Sequence, residues 1–324
     1  MKAGAVLRKR YQVKRIIGQG GMGCIYLAED LRLEGRLCAI KEVEYDRALP
    51  EDMLQEAREQ FQREATVLAR LDHPNLPKVS DFFFIEDRDY LVMDFVPGKD
   101  LRQLMMDAQQ QDTFLTEDEV LDWASQLADA LKYLHTQDPA ILHRDIKPSN
   151  LKLTPNGLVK LVDFGLVKML APGEVTITVL QGQGTALYTP LEQYGGDVGH
   201  TDARSDVYAF GATLYHLLTN QAPVNVRDRF LNPGSLTPVR QINPNVSIRT
   251  ERAIHWAMQL HPEDRPQDVD AFLRALFTED APITKPFRSS RLMPRILHKT
   301  EMVLLILAGS LVAISLLMTL LRNF

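Results

Sequence analysis

The feature that most constrains this chain is a change of hydrophobic periodicity near residue 95. From Tyr11 up to that point, short β-branched and aromatic runs at 13–17, 25–27, 37–43, 82–85 and 90–95 are separated by glycine or charged turns. Such runs read as strands. One helical stretch interrupts them. It starts near Pro50 and ends before Pro74, with Phe61, Ala65 and Leu68 at helical spacing. From about Asp100 the pattern turns helical. Thr116-Glu-Asp-Glu119 has the form of a capping box, and the helix after it would bury Val120, Trp123, Leu127, Leu131 and Leu134. Further helices are expected at 208–218, 253–260 and 268–276. A β-rich small lobe followed by an α-helical large lobe is an α+β arrangement. No internal repeat is present.

Charge is unevenly spread. The chain of 324 residues carries a net −5. Residues 281–300 hold Lys285, Arg288, Arg291, Arg295 and Lys299 and no acid, and in 301–324 Glu301 and Arg322 cancel. The body, residues 1–280, is therefore strongly acidic, which argues against a generally basic nucleic-acid binder. The two cysteines, Cys24 and Cys38, cannot staple a secreted scaffold and fit a reducing compartment. Residues 1–10 contain no apolar h-region, so no signal peptide is expected.

Gly18-Gln-Gly-Gly-Met-Gly23 matches G-x-G-x-x-G. A dinucleotide-binding turn would lead into a helix. Here Cys24-Ile-Tyr-Leu-Ala follows, so the glycines belong to a strand–turn–strand hairpin. Missing side chains there let backbone N–H groups approach phosphate oxygens. Cys38-Ala-Ile-Lys41 comes next, and alternation puts Ala39 and Lys41 on one face, Cys38 and Ile40 on the other. His143-Arg-Asp-Ile-Lys-Pro-Ser-Asn150 and Asp163-Phe-Gly165 complete the set. Asp145 can orient a hydroxyl and accept its proton. Asn150 and Asp163 offer hard oxygen ligands suited to Mg²⁺. Lys147 can neutralise a phosphoryl group.

In order and spacing these segments resemble the glycine loop, V-A-I-K strand, H-R-D-x-x-x-x-N loop and D-F-G of protein kinases. The chain resembles the eukaryotic-like serine/threonine protein kinases that bacteria carry, over about residues 11–277. The resemblance implies the two-lobed fold, with lobes at 11–95 and 96–277 and residues 1–10 as an extension. It implies ATP and Mg²⁺, with Mn²⁺ as the alternative, and transfer of the γ-phosphoryl group to Ser or Thr of proteins. Asp145, Lys147 and Lys41 would be catalytic. The nucleotide would be held by Ile17, Gly18, Gln19, Gly20, Gly21, Met22, Gly23, Ile25, Ala39 and Lys41 from above. Met93, Asp94 and Val96 would form the hinge, Asp100 would reach the ribose, and Glu64 would pair with Lys41.

Asn150 and Asp163 would hold the metal. Gly184-Thr-Ala-Leu-Tyr-Thr-Pro-Leu-Glu192 resembles the end of the activation segment. Thr185 would bond Asp145 and Lys147, and Glu192 would pair with Arg265. Asp206 would cap the catalytic-loop backbone. Thr189-Pro-Leu-Glu192 departs from the usual A-P-E, and Cys38 replaces a valine. Arg144 beside Asp145 implies control by activation-loop phosphorylation, with Thr176 and Thr178 as candidates. A pseudokinase would have lost Lys41, Asp145, Asn150 or Asp163, and a small-molecule kinase would lack the Thr185, Glu192 and Arg265 set.

Residues 302–321 are 20 uncharged residues, 16 of them apolar. At about 1.5 Å each they would span roughly 30 Å, a bilayer core. The reading is a transmembrane helix preceded by a basic juxtamembrane linker at 278–301 and followed by a short extracytoplasmic tail at 322–324. The basic linker puts the kinase domain on the cytoplasmic side of the cell membrane. Expected partners are Ser/Thr-bearing proteins, the membrane, and a second copy of the chain for autophosphorylation in trans.

Overall fold

A computed structural model describes residues 1–20, 23–45, 50–163, 168–169, 186–194 and 201–278. All of them fall in one compact unit, Met1–Ile283.

The first lobe is a six-stranded antiparallel sheet. Its strands are β1 (Val6–Leu7), β2 (Tyr11–Gly20), β3 (Gly23–Asp30), β4 (Leu37–Glu44), β5 (Val79–Ile85) and β6 (Arg88–Asp94), in the order β1-β2-β3-β4-β6-β5. Val6–Leu7 lies within the segment read from sequence as an extension, yet it pairs with Gln12 and Tyr11 of β2. The sheet rolls until its far sides meet. The Tyr11 ring of β2 stacks 5.9 Å from that of Phe83 in β5, and the Tyr11 hydroxyl donates to Asp81 at 2.7 Å. Rolling gives the lobe two apolar faces. Cys38 and Ile40 of β4 pack inside with Tyr11, Tyr26, Phe83 and Tyr90. Ala39 and Val43 face the other way, onto the core shared with the helices. The alternation read from the sequence is this division. Burial in the inner cluster pushes the Cys38 thiol up to about 11, which keeps it inert.

Inside the roll, the Glu42 carboxylate is buried. It accepts from the hydroxyls of Tyr26 (2.6 Å) and Tyr90 (3.0 Å) and pairs with Arg88. Helix α1 (Glu51–Arg70) connects β4 to β5 and lays Phe61, Ala65 and Leu68 on the outer face.

The short strand β7 (Lys99–Asp100) leads into α2 (Leu101–Gln110). Sequence periodicity did not reveal this helix. Gly98 precedes β7 at φ 107°, and an added Cβ would overlap the Leu153 carbonyl oxygen. A glycine is required where the connecting strand crosses this close to the next lobe. Helix α3 (Glu117–His135) starts at the capping box, with the Glu119 amide donating to the Thr116 hydroxyl at 3.3 Å. It buries Val120, Trp123, Leu127, Leu131 and Leu134.

Then come β8 (Ile141–Leu142), β9 (Leu151–Leu153), β10 (Val159–Leu161) and β11 (Lys168–Met169), paired β10-β9-β7 and β11-β8. The lobe is completed by α4 (Ala203–Thr219), α5 (Val226–Leu231), α6 (Val239–Ile242), α7 (Ile248–Ala257) and α8 (Val269–Phe277). Helix α4 is buried on nearly every side, and an added Cβ at Gly211 would come 2.7 Å from the Ala257 side chain. Among the described residues no helix is long and apolar enough to cross a membrane. Residues 302–321, read as the membrane span, lie outside the described residues, as do 279–301 and 322–324.

Candidate active site

The loop between β8 and β9 carries Asp145, Lys147 and Asn150. Its shape is imposed by Asp206, a fully buried residue of α4. One Asp206 oxygen accepts the Arg144 amide at 2.8 Å. The other accepts the His143 amide at 2.9 Å and contacts His135 Nε2 at 2.8 Å. Burial works to raise the Asp206 pKa, and the His135 bond, the two imidazoles and the loop amide outweigh it, so the carboxyl stays ionised. His135 was not singled out in the sequence, and nothing local marks it, since it ends a helix whose spacing only reports the core. Arg144 takes φ 62°, a left-handed backbone held by these bonds. His143 is itself buried and its pKa is lowered by burial.

Asp145 is 8% exposed. Lys147 Nζ donates to both of its carboxylate oxygens at 2.8 Å. The Asn150 amide nitrogen donates to the Asp145 carbonyl (2.8 Å) and to its Oδ2 (2.9 Å). The three residues thus form one hydrogen-bonded unit. Spending its nitrogen on Asp145 leaves Asn150 Oδ1 as the atom able to face a cation.

Asp163 follows β10 at φ 59° and pairs with Lys41 of β4. Burial works to raise the Asp163 pKa, but the charge and hydrogen bond of Lys41, with Lys147 behind, hold it below the usual carboxylate value. Among the described residues no cluster of three His, Cys, Asp or Glu side chains forms a closed metal site. One carboxylate and one amide oxygen make an open, hard-oxygen donor set. Mg²⁺ uses such a set together with phosphate oxygens and water, so the residues fit that ion.

One sequence expectation is corrected. Among the described residues no ion pair joins Lys41 to Glu64. Lys41 is engaged by Asp163, while Glu64, on α1, accepts from Gln60 at 2.8 Å. Glu64 is buried, and desolvation pushes its pKa up to about 7 against the weaker pull of Gln60, Arg144, Arg63 and Lys41. The physical reason is competition: with Asp163 beside it, Lys41 has a carboxylate partner without α1 moving inward. A group whose folded pKa is raised lends stability at low pH, and that stability is lost as pH climbs through the folded value. Glu64→Gln is therefore expected to match the wild type near pH 4, below the unfolded value of a glutamate. By pH 8 it should be more stable by about 1–3 kcal/mol. Thermal melts across that range, with no widening gap, would refute the assignment.

The residues expected to face a nucleotide are placed as follows. Ile17 of β2 and Ile25 of β3 are partly buried and pack on the core cluster that contains Ala39 and Met93. Leu153 of β9 packs on the same cluster and was not foreseen. Gly18 stands opposite Ile25 and Gln19 opposite Cys24, with Gly20 opposite Gly23. Gly21 and Met22 lie outside the described residues. The Asp94 amide donates to the Lys78 carbonyl at 2.9 Å, its carboxylate meets Arg36 at 3.4 Å, and Val96 is buried. Asp100 caps α2, accepting the Gln103 amide at 2.9 Å, a role beyond the ribose contact expected of it. Cys24 packs on the inner cluster, away from the cleft.

Glu192 and Arg265 form a two-pronged pair at 2.6 and 3.0 Å, and Ser205 donates to the same carboxylate at 2.8 Å. Ser205 was not read from the sequence. Thr176, Thr178 and Thr185 lie outside the described residues, so their expected roles are not placed.

Comparison with known proteins agrees with this geometry. The protein kinase domain family matches residues 11–282. The chain is 32% identical over 284 residues to the probable serine/threonine-protein kinase PknB of Lactococcus lactis, covering 86% of this chain and 43% of that protein. To the serine/threonine-protein kinase PrkC of Bacillus subtilis it is 33% identical, covering 86% and 42%. The chain thus spans less than half the length of these relatives. Among solved structures, the Mycobacterium tuberculosis PknI kinase domain superposes with a TM-score of 0.65 at 28% identity, covering 85% of this chain and 98% of that one. PpkA-294 in its apo form gives 0.67 at 28% identity, covering 85% and 99%. The two-lobed architecture, the Asp145–Lys147–Asn150 unit and these likenesses place the chain in the protein kinase family.

Proposed function

We propose that this chain is a membrane-anchored serine/threonine protein kinase. The observation that carries the catalytic part is the Asp145 carboxylate, pinned by Lys147 and Asn150 at the cleft beside Asp163. In this reading ATP lies between the lobes, its base against Ile17, Ala39 and Met93 and hydrogen-bonded to the backbone of Asp94 and Val96. Lys41 holds the phosphates once Asp163 turns to its metal role. Asn150 Oδ1 and Asp163 are the metal-holding atoms. At that position Mg²⁺, or Mn²⁺, supplies charge neutralisation for the phosphates.

Asp145 orients the acceptor hydroxyl and takes its proton, and Lys147 balances the charge on the transferring group. Positioned charges do most of this work because phosphoryl transfer needs little covalent help from the protein. Lys147 and Thr185 favour Ser or Thr as acceptor, on the family resemblance. Thr176 and Thr178 are the proposed regulatory sites, where a phosphate would meet Arg144. Arg144 is half-buried, and desolvation lowers its pKa.

Residues 302–321 supply the anchor, with the basic linker on the cytoplasmic face. Anchoring concentrates copies in one plane and favours autophosphorylation in trans. The test is one incubation of the purified full chain, in detergent and in lipid vesicles, with labelled ATP and Mg²⁺, followed by phosphosite mapping. Label on Ser or Thr of added protein, faster self-labelling in vesicles, and modification at Thr176 or Thr178 are expected. Label on tyrosine alone overturns the Ser/Thr assignment, and no label at all overturns the kinase reading. Full release of the chain from membranes by alkaline wash overturns the anchor.

A further inference from the structure

Helix α2 packs against both the Pro148–Asn150 turn of the catalytic loop and α4. Its second residue, Arg102, is exposed. No carboxylate pairs with it among the described residues, whereas the neighbouring Lys99 is neutralised by Asp107 at 2.7 Å. The first turn of α2 contains no acid. A cation there opposes the helix dipole and is locally unfavourable. Asp100 lies two positions away, but its carboxylate accepts the Gln103 amide. The helix dipole therefore does not favour an arginine at this place.

Its charge acts on a Tyr–His pair that comes from two other segments. Tyr188, 7% exposed, comes from the stretch that follows Thr185. Its hydroxyl is 2.6 Å from Nδ1 of His216 on α4, and the two rings stack at 6.0 Å. Both groups are neutral at physiological pH. Burial pulls His216 down to about 4, helped by the Arg102 charge. Burial pushes Tyr188 up to about 12, with Arg102 opposing and Asp145 adding. Tyr188 thus stands within electrostatic reach of both Asp145 and Arg102. Lys147, the other cation here, is already spent on Asp145. Tyr188 and His216 are thus a neutral, largely buried pair within reach of the Arg102 charge, and that guanidinium has no carboxylate partner among the described residues.

We propose that Arg102 is a substrate-specificity residue, which pairs with an acidic side chain of the target protein a few residues from the acceptor Ser or Thr. This deepens the kinase reading and rests on it. The guanidinium offers several donors to a carboxylate, and Tyr188 and His216 add no charge that would repel one. The contact lies outside the reacting atoms, so it acts on KM more than on kcat.

The test is a set of serine peptides in a neutral background, with one Glu placed in turn at each of four positions on either side of the acceptor. A matching set carries Lys. Each is assayed with the purified full chain and with Arg102→Glu and Arg102→Lys, and the readout is the ratio of kcat/KM to that of the neutral peptide within the same variant. For the wild type, Glu at one or more positions is expected to raise the ratio about 3–5-fold through KM. Arg102→Lys keeps the preference in weaker form. Arg102→Glu abolishes it and makes Lys the favoured residue at the same position. Indifference of the wild type to every Glu position, or a preference that survives Arg102→Glu, overturns the proposal while leaving the kinase reading intact. Failure of the folded wild type to phosphorylate any peptide or itself defeats the kinase reading, and the proposal with it.

Discussion

Asp145→Asn is expected to lower kcat for peptide phosphorylation by about 10²–10⁴-fold, the usual worth of a positioned general base. The substitution keeps the shape of the side chain. It removes the acceptor for the hydroxyl proton and the charge that both Lys147 contacts and the Asn150 contact serve. Binding of ATP should change little, because Asp145 is not among the nucleotide-facing residues. The melting temperature should stay within a few degrees, since the loop is held by Asp206 through the His143 and Arg144 amides. Initial rates with labelled ATP, nucleotide affinity by titration and a thermal melt separate these effects. Turnover near the wild-type rate would remove Asp145 from the mechanism.

Arg265→Ala should damage the large lobe itself. Arg265 is 1% exposed and donates to Glu192 twice, to the carbonyls of Gln259, Leu260 and Arg204, and lies 4.9 Å over the Tyr208 ring. Truncating it leaves the Glu192 carboxylate buried, with Ser205 as its remaining side-chain donor among the described residues. Removing one partner of a buried ion pair costs about 3–5 kcal/mol. For a domain of this size each kcal/mol is worth about 2–4 °C, so the melting temperature should fall by about 6–20 °C. Lys99→Ala is the contrast. Its pair with Asp107 is 61% and 44% exposed. Solvent screening limits such a pair to about 0–1 kcal/mol. Equal effects of the two substitutions would show that burial does not set the worth of the Glu192–Arg265 pair.

The structure also shows how differently the parts of this site were legible. The capping box at Thr116, the strand alternation at 38–41 and the sequence blocks around Asp145 and Asp163 are short-range patterns, and each can be read where it stands. The helices 101–110 and 226–231 were missed because each is short and amphipathic over too few turns. Sheet pairing of residues 6–7 was missed because two residues carry no period. Ser205, His135 and Leu153 matter through what they touch, and their neighbours in sequence do not announce it.

The sequence by itself determined the two-lobed α+β order through local periodicity, and its resemblance to protein kinases implied the groups that meet at the cleft and the buried Glu192–Arg265 pairing. Tertiary structure decided the charge partnerships that no motif announces. Lys41 and Asp163 are 122 positions apart and pair because β4 and the end of β10 meet at the lobe junction. Glu64, one helix away from Lys41, is left in a desolvated place where its charge is costly. The packing of α2 on the catalytic turn and on α4 brings the Arg102 charge within reach of Tyr188 and His216. Electrostatic partnership falls off with distance and rises with burial, and both are properties of the packed chain.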